Sequence, residues 1–169
     1  VGSTIKEADL GKPMEVWFPW MPRDRTLRAT VKAIHRTRTD PPEPGYSPYV
    51  ALVEFEATPE TRAIDLWTRP SDHLRDVSLE VWGVDMRSLR AAKLTGPRPV
   101  SKIYGDTYFA FSSPGLRDYP HGAAVIADGR LAGIVADGSP ISGRPATGDQ
   151  AVAITATEIS AALVIAVGR

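Results

Sequence analysis

Fifteen prolines and fourteen glycines, spread along all 169 residues, set the first limit on what this chain can fold into. Proline removes a backbone donor and breaks a helix interior, and glycine weakens one, so a helical bundle is excluded and the chain is cut into short pieces. The pieces read as strands. In Leu27-Arg-Ala-Thr-Val-Lys-Ala-Ile34 the residues Leu27, Ala29, Val31 and Ala33 point one way and Arg28, Thr30 and Lys32 the other, the alternation of a half-buried strand. Met14–Phe18 precedes it across a polar turn at Arg23-Asp24-Arg25. Further strands are predicted at 49–55, 79–84, 107–111, 123–127, 131–136 and 151–154, a spacing that suits a sandwich or barrel. Asp128-Gly129 has the residue pair of a type I′ hairpin turn.

Thr37–Pro48, with four prolines, and Ser139–Asp149, with two prolines and two glycines, read as surface loops. One helix is predicted, at 156–167. Thr155 and Glu158 have capping-box spacing ahead of it, and Ile159, Ala162, Leu163 and Ala166 share one face before Gly168. The length suits a single domain over 1–169, with a first lobe over about 13–96 and a second over about 97–155, divided near Pro97-Arg-Pro.

Composition narrows the function classes. Twenty basic and twenty acidic side chains give a formal net charge of zero, which disfavours nucleic acid as a partner. Residues 1–40 carry eight basic and five acidic groups, and Arg23, Arg25, Arg28, Lys32, Arg36 and Arg38 gather on one hairpin, which reads as a solvated strand face. Without cysteine there is no disulfide, thiol nucleophile or thiolate metal site, and the three histidines have no metal-ligand spacing. No cofactor or metal is implied. The longest apolar run, Ala161–Val167, is too short to span a bilayer, and the first ten residues lack a signal-peptide core, so the expectation is a soluble, cytoplasmic protein. A start at Val1 rather than Met fits a domain excised from a longer chain.

Five segments carry a resemblance to a known family. These are Tyr49-Val-Ala-Leu-Val-Glu-Phe55, Leu79-Glu-Val-Trp-Gly83, Tyr119-Pro-His-Gly-Ala-Ala-Val125, Asp128-Gly-Arg-Leu-Ala-Gly-Ile-Val135 and Ala151-Val-Ala-Ile-Thr155. In order and pattern the chain resembles the trypsin/chymotrypsin-like serine proteases. The first segment is similar to the strand that brings in the catalytic aspartate, the second to the strand closing the first barrel. The third and fourth are similar to the nucleophile loop and its hairpin, and the last to the strand before the C-terminal helix. The resemblance implies a mostly β fold of two antiparallel barrels with a C-terminal helix, the first barrel incomplete.

The departures from that pattern decide the activity it implies. Acyl transfer by this family needs a serine, a histidine to take its proton, an aspartate to hold the histidine and backbone donors for the oxyanion. Here His121 stands at the serine position, Tyr49 at the aspartate position and Tyr119 at a glycine of the oxyanion loop, and Pro120 supplies no N–H. The family's histidine falls before Met14, and Val1–Lys12 contains none. The chain therefore reads as a catalytically degenerate member, a pseudoprotease whose function is to bind a protein or peptide as a regulatory module of a larger protein. Candidate binding residues are Trp17, Trp20 and Met21 in an unusually apolar segment, and Tyr119, His121 and Ser139 around the former groove.

The other histidines and serines have plainer readings. His35 ends a strand with its ring bonded to backbone, His73 lies in an exposed polar turn, and Ser112 and Ser113 sit in a turn without a nucleophile elbow. Three rival functions stay open at this point. One is an active serine hydrolase completed by residues outside the chain, another is a small β-barrel adaptor unrelated to proteases, and the third is a nucleic-acid binder that uses the Arg23–Arg38 face. The oligomeric state is not set by the sequence.

Overall fold

The computed structural model describes residues 5–18, 21–22, 24–37, 49–85, 90–112, 122–137 and 150–168. The fold is mostly β, with two antiparallel sheets and one C-terminal helix.

The smaller sheet is a meander of β1 (Pro13–Val16), β2 (Leu27–Arg36) and β3 (Tyr49–Phe55), in that order. The predicted alternation of β2 holds only for its first half. Val31 pairs with Val53 but Ala33 pairs with Leu52, so Lys32 is an extra residue in a bulge. Neighbouring residues on β3 face opposite ways. Ala33 and His35 are thereby turned onto the opposite face from Ala29 and Val31. That face lies under the helix α1 (Ala156–Val167), which packs on β2 and β3.

The larger sheet has seven strands. They are β4 (Leu79–Asp85), β5 (Arg90–Arg98), β6 (Val100–Tyr104), β7 (Tyr108–Ser112), β8 (Ala124–Ala127), β9 (Arg130–Asp137) and β10 (Gln150–Thr155). Their order in space is β5-β4-β8-β9-β10-β7-β6. Neither sheet closes on itself by strand pairing, so the expected closed barrels are not formed among the described residues. The two edges of the larger sheet are nonetheless consecutive in the chain, with only Pro99 between β5 and β6. A strand that leaves one edge, bends at proline and joins the other edge curls its sheet.

This arrangement moves the expected lobe boundary. β4, expected to close the first unit, pairs with β5 and β8, and the chain passes from the smaller to the larger sheet between Phe55 and Leu79 rather than near residue 97. Pro97 and Pro99 lie where the chain runs from one edge strand of the larger sheet to the other, and edge strands are where proline is tolerated.

The core follows from the pleat. Phe109 and Phe111, two apart on β7, are fully buried with ring centroids 6.1 Å apart, against Leu79, Val81 and Val125. The connecting segment is pinned to the β8–β9 hairpin, because Trp67 N–H donates to the Leu131 carbonyl and Leu131 N–H to that of Asp65. Its Trp67 ring is buried in the same core under the Arg69 guanidinium, 5.3 Å from the ring centre. A second cluster, Val50, Tyr108, Ala110, Val152, Ile154, Ile159 and Ala162, joins both sheets to α1. Of the predicted apolar helix face, Ile159 and Ala162 are buried, whereas Leu163 is exposed.

Candidate binding surface

Of the residues singled out by sequence, the described ones, Trp17, Met21 and Tyr49, do not converge. Tyr49 opens β3 opposite Arg36, and its hydroxyl donates to the Ile5 carbonyl. It borders a cleft of about 370 Å³ shared with Ile5, Ile34 and Arg36, where Arg36 Nε donates to Glu7 at 2.8 Å. Trp17 and Met21 lie at the other end of the small sheet. A turn closes from Met21 N–H to the Phe18 carbonyl at 2.9 Å, and Trp17 Nε1 donates to the Pro22 carbonyl at 3.2 Å. Phe18 packs on Phe55 with ring centres 5.0 Å apart. Met21 there lines a cleft of about 460 Å³ with Pro22, Arg25, Leu27 and Pro59. The length of β2, about 30 Å at strand rise, separates this cleft from Tyr49. Trp20, Tyr119, His121 and Ser139, like Pro120, lie outside the described residues.

The Met21 cleft is of mixed character, with Met21, Pro22, Leu27 and Pro59 beside Arg25, Thr58 and Glu60, and among the described residues it holds no carboxylate–imidazole pair. The cleft beside Tyr49 offers a phenol whose proton is already given to a backbone oxygen. Neither has the donor and base geometry of acyl transfer. Among the described residues no three histidine, aspartate or glutamate side chains gather as a metal site, and no helix is long and apolar enough to cross a membrane.

The strongest polar cluster was not legible in the sequence. His35 Nε2 and Glu158 Oε2 meet at 2.6 Å, joining β2 to the first turn of α1, where the backbone partner expected for His35 is replaced by a carboxylate. Glu158 Oε1 accepts from Thr107 Oγ1 at 3.4 Å. The helix cap is therefore only half of a capping box. Glu158 N–H donates to Thr155 Oγ1, while Thr155 N–H donates to the Thr107 carbonyl. Beside the pair, the hydroxyls of Thr37 and Tyr108 bond each other. Burial pushes the Tyr108 phenol above its ordinary range, the Thr37 bond acts against this, and the Glu158 charge adds to the rise. These groups clamp the small sheet to the large one. His73 is exposed in a 3-10 turn (Ser71–Asp76), as expected.

No protein family, curated protein or solved structure matches this chain.

Proposed function

We propose that this chain is a catalytically inactive domain on a chymotrypsin-like plan that binds polypeptide as a recognition or regulatory module. The observation that carries the reading is Tyr49. At the position where the family resemblance asks for a carboxylate to hold a histidine, the side chain is a phenol committed to the Ile5 carbonyl. A phenol lacks the carboxylate charge with which the family's aspartate stabilises the imidazolium. The mostly antiparallel β architecture, with a helix directly after the last strand, is the part of the fold that supports the plan.

The test is fluorophosphonate labelling read by mass spectrometry, run beside cleavage of a peptide library and binding to a peptide array. The expected result is no labelled serine, no cleavage and selective binding on the array. A labelled serine accompanied by cleavage would replace this reading with an active hydrolase. Absence of any selective peptide would favour an adaptor unrelated to proteases.

A further inference from the structure

An antiparallel sheet that ends in solvent presents a row of unpaired N–H and C=O groups, and proteins blunt such edges with proline, charge or shortness. Three of the four edge strands here are treated in that way. β1 has four residues, begins with Pro13 and carries Glu15. β5 contains Pro97 and runs into Pro99, and β6 has five residues directly after that proline and carries Lys102.

β3 is treated differently. Its seven residues, Tyr49-Val-Ala-Leu-Val-Glu-Phe55, contain no proline, and its single charge, Glu54, is matched across the ladder by Lys32 at 2.7 Å. The strand pairs with β2 on one side only, and among the described residues no backbone group bonds its outer side. Apart from Glu54, which shares a face with Val50 and Leu52, its side chains are apolar. Tyr49, Ala51, Val53 and Phe55 share one face, and Val50 and Leu52 on the other reach the second core cluster beside α1.

We infer that the outer edge of β3 is the docking site for an extended segment of a partner polypeptide, which adds to the small sheet as a fourth strand. The unpaired backbone specifies the occupant, since only another extended backbone satisfies a row of alternating donors and acceptors. The side chains specify its composition. The segment carries β-branched or other apolar residues alternating with polar ones over about seven positions. A second copy of β3 fits less well. In a twofold antiparallel pair centred on Leu52, each Glu54 lies across from the buried Val50 of the other copy, on the face covered by α1. The inference rests on the polypeptide-binding reading above and assigns it a place, the sheet edge rather than the Met21 cleft.

The probe is a fluorescein-labelled peptide amide of sequence Lys-Val-Thr-Val-Thr-Val-Lys, titrated with the whole chain and read by fluorescence anisotropy. Binding is expected, with new hydrogen-exchange protection at the amides of β3. N-methylation of the inner peptide amides, which leaves the side chains in place, is expected to weaken binding at least tenfold, as is Val53→Lys. The N-methyl comparison uses the unaltered protein, so it decides the matter even where Val53→Lys fails to fold. Binding that survives N-methylation, or protection confined to residues around Met21 and Leu27, overturns the edge site while leaving the polypeptide-binding reading intact. No binding of the probe at millimolar concentration, with selective binding on the peptide array, does the same. Concentration-dependent dimerisation that Val53→Lys abolishes overturns the partner segment in favour of a second copy.

Discussion

His35 and Glu158 are 123 residues apart in sequence and meet at 2.6 Å, imidazole Nε2 to carboxylate Oε2, at the seam where the three-stranded sheet meets α1. Both side chains are about four-fifths shielded from solvent, so the contact is not discounted as a surface ion pair would be. Removing His35 leaves the partly buried Glu158 carboxylate with only the longer bond from Thr107 Oγ1, and neutralising Glu158 takes the charge from the partner of His35 Nε2. His35→Ala and Glu158→Gln are each expected to cost about 1.5–3 kcal/mol, and the double variant less than the sum. Urea unfolding of the four proteins gives the cycle, and strict additivity would show that the two groups do not act together.

Tyr108 gives a pH signature. Its phenol is held neutral by burial, so the folded state keeps a proton that the unfolded chain releases near pH 10. Where the native state binds more protons than the unfolded one, stability falls as pH rises. The contribution is intact below pH 10 and is lost as pH climbs through the raised folded value. Denaturation between pH 9 and 11 should therefore show a downward slope that Tyr108→Phe reduces. An unchanged slope in that variant would assign it to other groups.

Gly133 on β9 is a close approach of backbone to ring. A Cβ there would collide with the Ile154 carbonyl oxygen and stand 2.9 Å from Phe109 Cε1. Both neighbours are held, one by the β9–β10 ladder and one by full burial. Gly133→Ala is expected to destabilise by about 1–3 kcal/mol or more, the cost of overpacking a filled core. A thermal unfolding midpoint equal to that of the parent would contradict this packing.

The turn between β8 and β9 places Asp128 at φ 47° and Gly129 at φ 73°. Both lie in the left-handed region, as a type I′ turn requires. Asp128→Asn should be nearly silent, whereas Asp128→Val should cost about 1–3 kcal/mol through backbone strain. Equal stabilities of the two variants, measured by urea unfolding, would count against the turn.

What the sequence made legible was local. Asp128-Gly129 marks its hairpin within two residues, and Thr155 marks the start of α1 within three, so short-range chemistry suffices for both. β5 and β6 were missed because Gly96, Pro97 and Pro99 read as breakers. Prolines are tolerated there because both strands are edges, a property of the assembled sheet that no window of sequence contains. The same holds for the bulge at Lys32, which turns His35 toward α1 against the simple alternation of β2. Tyr49 and Met21 were both marked in the sequence, but only the register of β2 and β3 reveals that they lie at opposite ends of one sheet. Glu158 was read as a capping residue from its spacing, and its carboxylate is drawn instead to a histidine that only tertiary structure supplies.

The position of Pro99 bears on how the larger sheet assembles. The β4–β5 and β6–β7 hairpins are local in sequence and covalently adjacent through this residue, yet they dock on opposite sides of β8-β9-β10. Early zippering of either hairpin brings no contact with the centre until a long stretch of chain has closed, through β4 on β8 and β7 on β10. Once one hairpin has docked, the single-residue joint holds the other close to its place, so the second seam closes with little further loss of chain freedom. The sheet is thereby expected to form slowly, with its two seams completed nearly together, and to come apart as one cooperative unit.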